Sequence, residues 1–339
     1  PGFIDSHCHV LWIGAILSLM PDNLFACSNF TDIQAAIKTW AADNPDLPFV
    51  GGIGWRMDQV PDRSPTCRLL DEVVADRPVI LMSYSGQCGW MNSMAVNQLK
   101  QRNPQALEAL KPVRNAAGDM TGEFLHFHAI NYLDFYSLDE WGPDVRQGLM
   151  DAMTEVLDEA VSVGVTAVHD VQIYPEFIPM LLEFRDKGGF DKVRARCAYY
   201  VDPHHFPNET VLRDRMSWWK DLGQRESGAH LVFGDSVKLY IDGTIDNRTS
   251  YVFEPYCDDP ENYGDPVWTQ DQFNAVIQVL DELEIQSCTH ACGDAGINRV
   301  VNAIEYAIDS NRPRDHRHRV EHNEFPTPSD IHRMGELGI

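Results

Sequence analysis

No unbroken apolar run in this sequence approaches the roughly 20 residues that a membrane-spanning helix needs. Positive charge is also scarce. Only 27 Lys and Arg stand against 51 Asp and Glu, a net charge of −24. Nucleic acids and anionic membrane surfaces both need cationic partners, so neither is expected to bind here. The first residues carry no basic region leading into an apolar core, so no secretory signal is read there. The eight cysteines (Cys8, Cys27, Cys67, Cys88, Cys197, Cys257, Cys288 and Cys292) form no C-x-x-C pair. In a chain of 339 residues, scattered cysteines read as reduced, mostly buried thiols of a cytoplasmic protein. Internal repeats and low-complexity segments are absent. A glycine-rich phosphate loop is absent too: "HVLWIGAIL" follows the first apolar stretch, and "GGIG" at Gly51–Gly54 is too short for a dinucleotide fingerprint. A lone nucleotide-binding domain is thereby set aside.

What is present is an alternation of short apolar runs with longer helical patterns. Runs rich in Val, Ile and Tyr predict strands at Gly2–Asp5, Phe49–Ile53, Val79–Ser83, Val165–His169, Arg194–Val201, Ser236–Ile241, Ile285–His290 and Arg319–His322. Apolar residues at helical spacing predict helices at Thr31–Ala42 (capped by Thr31), Asp144–Val163, Thr269–Leu283 and Ile297–Ile308. Strands separated by helices imply βαβ units and a parallel sheet, doubly wound or closed into a barrel. The stretch from Gly14 to Tyr136 is repeatedly broken by proline, from Pro21 to Pro112, and is too long for a βα connection. It reads as an insertion with some structure of its own.

His7 and His9 lie two residues apart at the end of the first strand, so both face the same side. Two imidazoles so placed can reach one metal ion, although H-x-H alone reads more readily as two polar loop residues or as core histidines satisfied by backbone. Other strands strengthen the pattern. His290 ends "IQSCTH", His322 ends "HRVEH" and His169 ends "VTAVH", while Lys238 is embedded in the apolar strand "SVKLYIDG". A lysine there is costly unless it snorkels, pairs or is modified. In a parallel barrel these strand ends converge on one mouth. His126 and His128 ("LHFH") fall in the insertion on no convincing strand. His204, His205, His316 and His318 sit in polar stretches and read as surface residues.

Taken in order, "PGFIDSHCHV", "VTAVHD", "VKLYIDGTIDNRTS", "EPYCDDP", "THACGDAGINRVVNAIE" and "RVEHNE" resemble the amidohydrolase superfamily. The likeness is to its long-insert branch, amidohydrolase family 3, which includes N-substituted formamide deformylases. The resemblance implies an α/β fold, a (β/α)8 TIM-type barrel of the metal-dependent hydrolase type, with a large insertion after strand 1. Residues 1–13 would be the first strand, 14–140 the insertion over the barrel mouth, and 141–339 strands 2–6 with their helices. About six of eight strands would then be present. Strands 7 and 8, two β-sandwich parts and the strand-8 Asp of the family would lie outside, so no catalytic residue is assigned and the chain is expected to be a fragment of a longer enzyme.

By the same resemblance, His7 and His9 would bind one divalent ion, Lys238 would bridge two as a carboxylated lysine, and His290 and His322 would bind the second. Zinc is the usual metal, one or two ions, and a metal-activated water would attack a carbonyl. Trp55, Gln87 and Asp242 are the candidate substrate contacts. Gln87 stands where family members often carry a histidine, and it cannot exchange protons near neutral pH. The aromatics Trp55, Tyr84 and Trp90 either line an apolar pocket or form the insertion's core. The expected activity is hydrolysis of a non-peptide C–N bond in a small molecule. The alternative is a catalytically impaired amidohydrolase-like binding or regulatory protein. Open sheet edges would favour a homo-oligomer.

Overall fold

The computed structural model describes residues 2–11, 24–126, 140, 142–204, 206 and 208–339. His128, His205 and parts of the predicted insertion lie outside them. In chain order the strands are β1 (Phe3–Cys8), β2 (Val50–Trp55), β3 (Val79–Ser83), β4 (Gly89–Met91), β5 (Pro112–Arg114), β6 (Met120–Phe124), β7 (Val165–Ile173), β8 (Arg194–Tyr200), β9 (Leu231–Val232), β10 (Ser236–Tyr240), β11 (Gln286–Ala291) and β12 (Arg319–His322). The chain divides into two compact units, Pro1–Trp12 with Thr154–Ile339, and Ile13–Met153.

The first unit carries a sheet in the order β1-β7-β8-β10-β11-β12, with the two-residue β9 beside β8. Every pairing in it is parallel. Helices Ile178–Asp186, Glu209–Glu226, Gln270–Glu282 and Asp294–Ser310 connect successive strands. These are the βαβ units that the alternating pattern implies, and the six predicted barrel strands correspond to the six on the main path of this seven-stranded sheet. Its central strands are buried on both faces, which is why they read as continuous apolar runs: all five residues of β10 are shielded.

The sheet curls. Flat, its outer two strands would stand about 24 Å apart at ~4.8 Å per strand. Instead His7 on β1 meets Glu321 on β12 at 2.5 Å, and an Arg319 guanidinium nitrogen donates to Ser6 O at 3.1 Å. Inside the curve, His169 on β7 contacts Ser236 on β10 at 3.2 Å, and the Tyr240 hydroxyl donates to Gln172 at 2.7 Å. Ser236, Lys238 and Tyr240 therefore share the concave face, as alternation requires.

Element ends follow local chemistry. Thr269 caps helix Gln270–Glu282 in a reciprocal capping box with Gln272. Asn29, not Thr31, caps helix Phe30–Asp43, accepting from the Asp32 N–H at 3.1 Å. Strand β7 runs on to Ile173, so His169 lies within it rather than at its end. The second unit has a sheet in the order β2-β3-β4-β6-β5 and a core built on Ile33, Ile37, Trp55, Leu70, Leu81 and Trp90.

Candidate metal centre

Four imidazoles stand in series at the carboxyl ends of β1, β12 and β11. The His9 and His7 rings are 5.4 Å apart, His7 and His322 4.9 Å, and His322 and His290 4.6 Å. His322 reaches its place with φ 67°, a left-handed backbone that costs a non-glycine residue free energy and re-aims its side chain. Lys238 is fully buried on β10. Its Nζ has no hydrogen-bond partner and lies 4.7 Å from the centre of the Tyr240 ring. Burial pulls this amine down to about 8, with the Glu321 charge opposing. Burial first, then the Lys238 charge, hold His9 and His290 well below the usual histidine range, so both are neutral bases at pH 7.

The tautomers follow from the partners. His7 Nδ1 contacts the Glu321 carboxylate and so carries the proton, leaving the lone pair on Nε2, which is buried and has no partner. His290 Nε2 lies 2.8 Å from Gly243 O, an acceptor only, so its lone pair is on Nδ1. His9 Nδ1 is likewise buried without a partner. Buried polar atoms without partners are rare and need a reason. Neighbouring imidazoles with unpartnered nitrogens beside a neutralisable amine are donors of the kind that suit a divalent metal ion. The structure thus brings together His7, His9, Lys238, His290 and His322, residues from four strands.

Asp242 is fully buried. Its oxygens accept the backbone N–H groups of Cys292 (3.1 Å), Gly293 (2.9 Å) and Tyr251 (3.0 Å). Burial still pushes the carboxyl up to about 7 against those three donors. Asp242 ties the segment after β10 to the turn after β11, where a Cβ on Gly293 would fall 2.1 Å from Tyr251 O. Trp55 and Gln87 belong to the second unit. Trp55 is 1% exposed and packs at 5.6 Å on Trp90 within that unit's core, whereas Tyr84 is exposed. Gln87 is buried and its Oε1 has no partner.

Sequence reasoning missed Glu321 and misplaced two histidines. His318 is buried rather than on the surface, and His316 is partly so. Both contact the buried Asp281, at 3.3 and 2.6 Å, and Arg314 donates to the same carboxylate at 2.8 Å. Burial alone would raise Asp281, yet the His318 and His316 hydrogen bonds hold it well below the usual carboxylate range. Three potential ligands converge there. A metal is nevertheless disfavoured. The Ser287 N–H donates to His318 Nδ1 at 3.1 Å, so Nε2 keeps its proton for Asp281, and a guanidinium already neutralises the carboxylate. This group clamps structure. The predicted "LHFH" histidine His126 is also buried, just after β6.

The sequence model described as "Amidohydrolase family" matches residues 1–339. The chain belongs to the amidohydrolase family. Within that family it is 29% identical over 346 residues to YtcJ of Bacillus subtilis, covering 100% of this chain and 61% of that protein. It is 23% identical over 349 residues to the N-substituted formamide deformylase of Arthrobacter pascens, again covering 100% of this chain and 61% of the relative. The fold is shared with solved metal-dependent hydrolases of Pyrococcus furiosus (TM-score 0.63, 23% identity, 100% of this chain and 63% of that one) and Pyrococcus horikoshii (TM-score 0.66, 19% identity, 100% and 61%). This amidohydrolase-family chain therefore spans about three fifths of the length of these relatives. Among the described residues no helix is long and apolar enough to cross a membrane.

Proposed function

We propose that this chain carries the metal centre of a hydrolase acting on a non-peptide C–N bond, in an amide, formamide or cyclic amide. The observation that carries the reading is the set of buried nitrogens without partners, His7 Nε2, His9 Nδ1 and Lys238 Nζ, beside His290 and His322. His7 and His9 would hold one divalent ion and His290 and His322 a second, with zinc the best match to imidazole. Such an ion supplies Lewis acidity toward a carbonyl and toward water. Lys238, held near a pKa of about 8, has a neutral fraction at pH 7 that can add to carbon dioxide. The new N–C bond gives a carbamate, and one proton leaves the nitrogen. Its oxygens would add anionic ligands to the imidazoles. Asp242 holds the turn that presents His290. The likeness to a formamide deformylase directs attention to N-substituted formamides.

The test is metal analysis and hydrolysis of a panel of N-formyl and N-acyl amines by the protein as expressed from its own gene. Wild type should retain a divalent metal and turn over part of the panel. His9→Ala and His290→Ala should each lose at least about a hundredfold in activity and most of the metal, as expected when a ligand is removed. Equal metal content in wild type and both variants would refute the centre. Metal retention with no turnover on any substrate would turn the reading to a non-catalytic binding protein.

A further inference from the structure

Glu321 was not among the residues expected to matter, yet its carboxylate occupies a decisive place. It is 8% exposed on β12, directly before His322, and its Cα pairs with His290 of β11. One oxygen accepts a hydrogen bond from His7 Nδ1–H at 2.5 Å; the other accepts from Arg319 Nε at 2.6 Å. Arg319 in turn donates to the carbonyl of Ser6, the residue before His7, and a second of its nitrogens lies 3.4 Å from His169 Nδ1. Both the ring of His7 and the backbone leading into it are thus gripped from the opposite edge of the sheet.

We propose that Glu321 is a positioning residue for His7. It fixes the imidazole as the Nδ1–H tautomer and turns the Nε2 lone pair into the cluster of nitrogens formed by His9, His290 and His322. Without an acceptor at Nδ1 the proton would be free to move to Nε2, where it would block coordination. A carboxylate behind a histidine is the usual means of orienting a metal-binding imidazole and raising its basicity. Both oxygens are already engaged, one by an imidazole and one by a guanidinium, so Glu321 does not itself face the reacting groups. The role rests on the reading of His7 as a ligand given above, but the tautomer can be examined without any metal.

Two measurements on the full chain separate the possibilities. The first is 15N correlation NMR of the imidazoles in metal-free protein, with His7→Gln used for assignment. Wild type should show His7 as Nδ1–H, and Glu321→Ala should shift it toward Nε2–H. The second is zinc affinity by competition with a chromophoric chelator. Glu321→Ala should weaken binding about 10- to 100-fold, the usual range for a lost carboxylate behind a histidine. Glu321→Gln, which keeps an acceptor oxygen but not the charge, should fall between. An unchanged tautomer together with affinity within twofold of wild type in both variants would overturn the proposal. So would a lowered melting temperature with unchanged zinc affinity, which is the mark of a purely structural clasp. If Glu321→Ala fails to fold, the Gln variant decides by the same two readouts. If wild type binds no zinc, the metal reading falls, while the tautomer result still decides whether Glu321 sets His7.

Discussion

Lys238 shows what the proposed metal centre would cost at the scale of one residue. An amine with no exposed surface and no hydrogen-bond partner is held only by the face of Tyr240 and by distant charge. A buried polar group left unsatisfied costs about 1–3 kcal/mol. Lys238→Met keeps the length of the side chain and removes the charge, so compared metal-free with wild type the variant should be about 1–3 kcal/mol more stable in urea denaturation, while as expressed it should bind less metal and lose activity. A variant no more stable than wild type would mean that the amine is satisfied in solution. The pH dependence has a definite sign. The folded value of about 8 lies below the ordinary 10.5, so the penalty is complete below pH 8 and is relieved as pH rises toward 10.5. In carbon dioxide-free buffer the gap between variant and wild type should narrow over that interval. This residue was legible in the sequence, because a cation inside an apolar strand is anomalous on its face. Glu321 was not, since an acid in "RVEHNE" looks solvated and its partner lies 314 positions away.

At the scale of elements the parallel strands were readable because burial on both faces makes them apolar throughout, as in β10. Some helices were harder. Glu209–Glu226 buries Leu212, Met216, Trp219 and Leu222, but acidic and basic residues between them break up the stripe. The loop before β12 escaped altogether. "RPRDHRHR" reads as a solvated run, and only the fold shows that Asp281, at the end of helix Gln270–Glu282, gathers Arg314, His316, His318 and Asn311 onto one carboxylate. This clamp fixes the helix between β10 and β11 to the loop entering β12. Removing one partner of a buried charged network leaves the others uncompensated, at a cost of about 3–5 kcal/mol. Asp281→Ala should therefore lower stability by about 3 kcal/mol in urea denaturation. Zinc affinity should be unchanged, because Ser287, the contact of His318, lies near the start of β11 and His290 near its end. A loss below about 1 kcal/mol, the range of exposed ion pairs, would show that the clamp is solvated.

For the whole molecule two electrostatic effects oppose each other as pH falls. The net charge of −24 shrinks toward the isoelectric point near 4.7, which relieves self-repulsion and favours the folded state. Buried histidines act the other way. Burial, then Arg196 and Arg319, push His169 down to about 3, and burial lowers His318 despite its contact with Asp281. Both would titrate near 6.5 when unfolded. Groups lowered on folding contribute stability that is complete above 6.5 and is lost as pH falls toward their folded values, because the unfolded chain then takes up protons that the folded chain refuses. A tenfold difference in proton affinity between the two states corresponds to about 1.4 kcal/mol. The surface charges, by contrast, are screened over about 8 Å at physiological salt, whereas the buried rings are not. The buried histidines should therefore prevail. We expect the melting temperature of the metal-free protein to fall steadily between pH 7 and pH 4.5 at 0.15 M salt, approaching the isoelectric point without the stabilisation that charge relief alone would bring. His318→Gln should flatten part of that slope. A melting temperature that held constant or rose over the same interval in calorimetry would show that repulsion among the carboxylates governs the acid limb instead.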